Sequence, residues 1–277
     1  MNSTEYIDRF INEAMAGKAE NTARAYRYSL MKFADYLDGS GTDLSEYGRV
    51  DVQQYIASMQ SAKRSASGVN REIAAIKAYS RYAGKSDAVE ALRMTKPPKA
   101  TLKAPEWLPR NKVNELLRMT DRKRNKRDYA IVCLLLYAGL RVSELAALDR
   151  TDIEISERKG SLYVRKSKNG SERMIPLNSE ARKAITDYLA QRNDNNEALF
   201  LSSLNKRLSV RSIQAMLNEY EVNPHQLRHT FVKSLVDKNV PTATIQALSG
   251  HSSADMVAWY SQPSQDDLAN AVESIFD

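Results

Sequence analysis

The sequence predicts a mainly α-helical protein of two domains: a small amino-terminal helical bundle, then a larger, mostly helical domain holding a small antiparallel β-sheet. Three observations predict it. Apolar residues recur at helical spacing through the first part of the chain. A stretch rich in proline and lysine then interrupts the pattern at residues 96–106. Beyond it, short strand-like pieces stand among helical segments, two of them separated by Asn169-Gly170. That dipeptide favours tight hairpin turns because both residues tolerate positive φ.

The first domain is assigned to residues 1–95. Within Asn21–Leu37, Tyr26, Leu30, Phe33 and Leu37 follow +4, +3, +4 spacing and line one side of a helix. Val69, Ile73, Ile76 and Ala83 make a second stripe. Each stripe is too narrow to stand alone, so the helices should pack into a bundle. Arg24, Arg27, Tyr28, Arg71 and Arg81 fall on the outer faces. There they can meet phosphates or simply face solvent.

Pro97, Pro98, Pro105 and Pro109, interleaved with Lys96, Lys99 and Lys103, predict an extended linker over 96–106, since proline fixes φ and removes an amide donor. The second domain, 107–277, opens with a helix over Arg110–Met119. Asp128–Leu140 is apolar on nearly every side, which predicts a central buried helix with Gly139 near its end. Strands are expected at Asp152–Ile155, Ser161–Ser167 and Glu172–Leu177. From Ser179 onward the pattern is helical again. It ends in a short helix over Asp266–Phe276 with Leu268, Ala271, Val272 and Ile275 on one face.

Composition narrows the function classes. With 42% hydrophobic residues in 277, the chain can build packed cores and is not disordered. Lys and Arg outnumber Asp and Glu by 41 to 34, a net charge of +7 that favours a polyanionic partner without identifying it. The lone Cys133 lies in the apolar run Ala130–Ala138. It cannot form an internal disulfide and reads as core packing in a reducing cytoplasm. That run is too short to span a bilayer. The amino terminus carries Glu5 and Asp8 and lacks the apolar segment of a secretory signal. A cytoplasmic protein without membrane attachment is expected.

Only three histidines are present, His225, His229 and His251. His225 and His229 are four apart and share a helical face, as zinc ligands do. The position after His225, where the zinc protease motif needs Glu, holds Gln226. No cysteine pair supplements them, so no metal site is expected, and His229 reads best as a hydrogen-bonded core residue. There is no glycine-rich phosphate loop and no acidic cluster of the two-metal kind, so no cofactor is expected.

His225-Gln-Leu-Arg228-His229, then Gly250-His251, then Tyr260 nine residues after His251, resembles the carboxyl-terminal signature of the tyrosine recombinases. These include Xer-like chromosome-dimer resolvases, phage integrases and transposon resolvases. Tyr137-Ala-Gly-Leu-Arg141-Val-Ser-Glu144-Leu145 resembles that family's first arginine box. Lys168-Asn-Gly-Ser-Glu172-Arg173-Met-Ile-Pro176-Leu177 resembles the hairpin bearing its catalytic lysine. Leu199-Phe-Leu-Ser and Arg207-Leu-Ser-Val-Arg-Ser also look like family segments. Each box alone is weak; their order over most of 107–262 makes the resemblance specific.

The resemblance implies a site-specific recombinase that joins a DNA 3′-phosphate covalently to Tyr260 and frees a 5′-hydroxyl. Arg141 and Arg228 become candidates for the two forks on the non-bridging oxygens of the scissile phosphate. Arg141 follows an apolar helix, and Glu144 could pair with it from the same helical face. His225 and the arginines would assist loss of the Tyr260 proton, since phenol ionises near 10. His251 would donate a hydrogen bond to the phosphate. Lys168 would protonate the leaving 5′-oxygen; Arg165 and Lys166 are basic neighbours, and Lys168 keeps the spacing to Glu172-Arg173. Relatives carry Thr-His after the tyrosine, where this chain has Ser261-Gln262.

The implied partner is double-stranded DNA bearing a recombination site. A homo-tetramer would act on two such sites through a Holliday junction, and the protein without DNA would be a monomer or weak dimer. The resemblance favours docking of the tail helix into a neighbouring protomer over its folding back onto its own domain, and the sequence does not decide between the two. Two other readings stand beside this one, a type IB topoisomerase-like enzyme and a DNA-binding protein without catalysis. The sequence does not separate chromosome-dimer resolution from transposon resolution or phage integration.

Overall fold

The computed structural model describes residues 2–94, 106–123, 125–165, 172–251, 254–261 and 272–273. The chain divides into two compact units, Met1–Leu102 and Lys103–Asp277. The stretch 95–105, Lys168 with the Asn169-Gly170 turn, and the tail except 272–273 lie outside the described residues.

The first unit packs α1 (Ser3–Ala14), α2 (Glu20–Gly39), α3 (Arg49–Ser61) and α4 (Ala66–Tyr82) around one core. Asn2 and Glu5 satisfy each other's amides across the start of α1, at 2.9 and 3.0 Å. Leu30, Phe33 and Leu37 are fully buried, and Tyr26 packs against the core edge. Phe33 meets Tyr47 edge-on with centroids 5.2 Å apart. On α4 the buried stripe is Val69, Ile73, Ile76 and Tyr79. The sequence placed Ala83 on it, but Ala83 is exposed just past the helix end. Tyr79, three residues beyond Ile76, is the larger side chain and takes the core position. Arg24 and Arg27 on the outer face of α2 are paired with Glu20 and Asp8.

The second unit begins with α5 (Arg110–Arg122) and α6 (Lys126–Tyr137). Residues Ala130 to Leu136 of α6 are all buried, as expected for a helix apolar on every side. Cys133 is among them, and burial pushes its thiol up to about 12. Gly139, at φ +59, ends this helix in the left-handed region. There follow α7 (Val142–Ala147) and the antiparallel strands β1 (Ile153–Ile155), β2 (Gly160–Val164) and β3 (Arg173–Pro176), in the order β1-β2-β3. Leu162 pairs with Ile153 on one side and Ile175 on the other.

The strands β1 and β3 are shorter than the sequence predicts, and β2 begins one residue early, while Lys166 and Ser167 of its expected span lie outside the described residues. Asp152 leaves β1 because its carboxylate accepts from the Asp149 amide at 2.8 Å, closing a 3-10 turn. Helices α8 (Ser179–Leu189), α9 (Val210–Asn218), α10 (Pro224–Asp237), α11 (Thr242–Ser249) and α12 (Ala254–Ala258) complete the unit, followed by a 3-10 turn at Trp259–Ser261. The helical reading from Ser179 onward fails across Asn196–Leu208. There Leu199 bonds the Leu148 carbonyl at 2.9 Å and Phe200 stacks on Tyr188. Arg192 covers the carbonyls of Asn196, Ala198 and Leu199. These tertiary contacts replace intrahelical bonds. Among the described residues no helix is long and apolar enough to cross a membrane.

Candidate active site

Four of the six sequence-predicted residues converge where the ends of α6 and α11 meet the starts of α7 and α10. Arg141 stands just before α7 with extended backbone, φ −69 and ψ 147. Its Nη1 donates to Glu144 Oε1 at 2.9 Å and its Nη2 to the Gly250 carbonyl at 2.8 Å. The expected pair therefore forms, but not across one helical face. Glu144 reaches back past the helix start, and also accepts from the Arg141 amide at 2.8 Å. The Glu144 side chain is only 2% exposed, so an unpaired carboxylate there would be costly. Burial by itself raises its pKa. Hydrogen bonds from Arg173 and from the Arg141 amide outweigh that and hold the carboxyl below its ordinary value.

Arg228 lies one turn into α10. That helix opens with Asn223, whose side chain accepts from the Gln226 amide at 3.0 Å, and Pro224, which needs no amide partner in the first turn. Arg228 is 5% exposed and donates to the carbonyls of Gly139 and, at 2.6 Å, Ser249. Burial, and next the charge of Arg141, hold its pKa down to about 10. It remains cationic at neutral pH. Gly250 turns the chain at φ +67, and a Cβ there would lie 3.0 Å from Arg173 Nη1 and 3.4 Å from Arg141 Nη1. Glycine lets both arginines approach this backbone.

His251 follows that turn. Its Nδ1 is 2.8 Å from Ser249 Oγ, and its Nε2 is 3.4 Å from Arg228 Nη2. The Ser249 hydroxyl spends its hydrogen on the Ile245 carbonyl at 2.6 Å. It must therefore accept from His251, which places the ring proton on Nδ1. Burial, then Arg228 and Arg141, drive the imidazole pKa down to about 4.

Tyr260 is 2% exposed, in a small apolar cluster with Phe231, Val232, Ile245 and Val257. Burial raises its pKa, partly offset by Arg228. Its hydroxyl is 2.5 Å from Nδ1 of His229. The core hydrogen bond expected of His229 thus has the candidate nucleophile as its partner. His225 is exposed at the second position of α10, its ring centroid 6.3 Å from that of His229. Among the described residues no group of three potential ligands is placed to hold a metal. Lys168 lies outside the described residues, but the strands beside it are anchored. Arg165, just past β2, pairs with Asp149 and with Asp152 at 2.6 Å, and Arg173 begins β3.

Sequence reasoning used Arg173 only as a spacing mark. Strand alternation carries a signal for it: Met174 and Pro176 are exposed while Ile175 is buried, so Arg173 shares the inward face. Its Nε donates to the Leu248 carbonyl at 3.0 Å, tying β3 to the end of α11.

The phage integrase family model matches residues 106–266, more than half of the chain. The chain belongs to this family, the tyrosine recombinases. The family's N-terminal SAM-like domain matches residues 7–86. Tyrosine recombinase XerA of Pyrococcus furiosus is 34% identical, covering 94% of this chain and 89% of the relative. XerC of Myxococcus xanthus is 31% identical over 93% and 92%. Among solved structures, a XerA recombinase aligns with TM-score 0.54 at 25% identity, covering 99% and 98%. XerH bound to its difH substrate before cleavage aligns with TM-score 0.71 at 18% identity, covering 99% and 85%, which bears on fold alone. This tyrosine recombinase thus has both family domains in order, and all three sequence boxes fall inside the matched second one.

Proposed function

We propose that this tyrosine recombinase is a site-specific DNA recombinase that cleaves and rejoins strands through a 3′-phosphotyrosyl bond at Tyr260, exchanging them via a Holliday junction. The observation that carries the reading is the clustering of Arg141, Arg228 and His251 around Gly250 with Tyr260 beside them. The ring centroids of His251 and Tyr260 are 6.3 Å apart. Backbone carbonyls and Glu144 hold the two guanidiniums in place before any phosphate arrives, so little reorganisation is needed when charge develops on the phosphorane.

In this reading Arg141 and Arg228 fork onto the non-bridging oxygens, Tyr260 attacks phosphorus, and Lys168 protonates the departing 5′-oxygen. His225 stands exposed at the start of α10. An entering phosphate replaces the contact between Arg228 and His251. It also raises the His251 pKa, so that Nε2 can donate to the phosphate. The bond to tyrosine conserves the phosphodiester's energy, and rejoining needs no nucleotide cofactor.

The first unit, with linker 96–106, serves as a DNA-binding domain, and residues 107–277 as the catalytic domain. Four protomers act on two sites. The test is to incubate the protein with DNA fragments from its own genomic neighbourhood and map covalent attachment points. Attachment at Tyr260 to a defined sequence supports the reading. Relaxation of supercoils by a monomer without a preferred site favours a topoisomerase instead.

A further inference from the structure

The reaction proposed above leaves the first proton without an acceptor. The sequence offered His225 as help, yet His225 is exposed. The group in contact with the Tyr260 hydroxyl is His229, through Nδ1 at 2.5 Å. Resting on the reading of Tyr260 as nucleophile, we infer that His229 is its general base. Nδ1 takes the phenolic proton during cleavage and returns it during religation.

Geometry supports this first. A general base must stand within hydrogen-bond reach of the proton it takes. With Tyr260 only 2% exposed, bulk water has little access to that place. Both partners are held. His229 follows Arg228 on the 14-residue helix α10, and the tyrosine ring is fixed among Phe231, Val232, Ile245 and Val257. The ring centroid of Tyr260 is 5.6 Å from that of His229 and 6.3 Å from that of His251, so the nucleophile neighbours both its acceptor and a member of the phosphate cluster.

The titratable and charged groups facing His229 are His225 and Arg228 on its own helix, His251 after α11, and Tyr260. Burial, then His225 and Arg228, lower the His229 pKa, so the imidazole is neutral at neutral pH. A neutral ring that accepts at Nδ1 carries its hydrogen on Nε2.

The step balances. The Oη–P bond forms as the P–O5′ bond breaks. The Oη proton moves to Nδ1, and O5′ takes a proton from the acid assigned to Lys168. Religation reverses each transfer. Positive charge grows on His229 while negative charge grows on the phosphorane, so the two attract.

The experiment is single-turnover cleavage of a nicked DNA site by the full chain, comparing wild type, His229→Asn and Tyr260→Phe. Asparagine sets an oxygen close to the place of Nδ1 but cannot take the proton. His229→Asn should bind the site normally and cleave about 10²–10⁴-fold more slowly. Its rate should climb with pH where the wild-type rate is already flat. Wild-type or faster cleavage overturns the inference, and so does slow cleavage with an unchanged pH profile. Independently of any His229 variant, ¹⁵N NMR should find Nδ1 of His229 unprotonated at about pH 7, with a pKa that rises in Tyr260→Phe as the phenol's hydrogen bond is lost. A protonated Nδ1 at that pH overturns it. Absence of a covalent adduct in wild type, or its presence in Tyr260→Phe, sinks the nucleophile assignment instead.

Discussion

Arg173 grips Glu144 through two parallel hydrogen bonds, Nη1 to Oε1 at 3.1 Å and Nη2 to Oε2 at 2.8 Å. Paired bonds of this kind fix direction as well as distance. Since Glu144 also holds the amide and guanidinium of Arg141, one buried carboxylate joins the root of the β2–β3 hairpin to the candidate phosphate clamp. The candidate site is in this sense one electrostatic unit.

Glu144→Gln tests that unit. The carboxyl pKa is depressed in the folded protein. Its stabilisation is therefore present above the unfolded value of about 4.5 and disappears as pH falls through the lower folded value. Replacing it leaves Arg173 and Arg141 without a counter-charge. We expect a loss of about 3–5 kcal/mol near pH 7 that shrinks towards about pH 3, measured by urea melts across pH. A loss independent of pH would mean that the ion pairs contribute nothing beyond packing.

Tyr260→Phe removes one oxygen. It should bind its DNA site as wild type does and form no adduct resistant to detergent. It also gives up the bond to His229, so a stability change of about 1 kcal/mol is expected. A detergent-stable adduct in this variant rules out Tyr260 as nucleophile.

The two arginines should differ. Arg141 is partly exposed, with 21% of its side chain accessible. Arg141→Ala should cut cleavage by about 10²-fold or more with little change in site affinity, because charge stabilisation acts in the transition state. Arg228→Ala also strands the buried carbonyls of Gly139 and Ser249, whereas Arg141→Ala leaves the Glu144 carboxylate still paired with Arg173. The Arg228 variant should lose cleavage and in addition about 1–3 kcal/mol of stability. Equal melting temperatures for the two variants would contradict this difference in anchoring.

Much of this was legible in the sequence, for reasons visible in particular residues. Leu30, Phe33 and Leu37 obey helical periodicity, and Ala130–Leu136 lacks a polar side because α6 is covered all round. Arg141, Arg228, His251 and Tyr260, which the structure brings together, were singled out because their spacing matches a family signature, not because periodicity reveals a site. What was missed depends on tertiary contact. Nothing local says that Tyr79 rather than Ala83 completes the α4 stripe, or that Leu199 bonds the Leu148 carbonyl. Nor does spacing reveal that His229, not His225, meets Tyr260, which comes 31 positions later in the chain.

Lys168 can be separated from Arg165 and Lys166 by substrate chemistry. A bridging sulfur at the 5′ position leaves without a proton. That substrate should rescue Lys168→Ala but not Tyr260→Phe. Arg165 is already engaged by Asp149 and Asp152, so Arg165→Ala should loosen the hairpin root and show no such rescue. Rescue of Lys166→Ala in place of Lys168→Ala would shift the acid by two residues.

Two glycines shape the pocket, and their alanine variants should fail in different ways. Gly139 has φ +59, and an added Cβ would fall 2.1 Å from the Phe231 ring. Its carbonyl also accepts from Arg228. Gly139→Ala therefore combines left-handed strain of about 1–2 kcal/mol with overpacking of about 1–3 kcal/mol, and pushes the carbonyl away from the arginine it anchors. Gly250 has φ +67, and its Cβ would meet only the tips of Arg173 and Arg141, at 3.0 and 3.4 Å. Those tips can yield by a few tenths of an ångström, but Glu144 resists the shift. Gly250→Ala should carry the same left-handed strain of about 1–2 kcal/mol without the overpacking, and lose cleavage, because Arg173, which must yield, shares Glu144 with Arg141, the arginine assigned to the phosphate. Thermal melts and single-turnover cleavage on the same preparations separate the two. A Gly250→Ala protein that cleaves at the wild-type rate would show that Arg141 tolerates displacement and does not need the position its anchors impose.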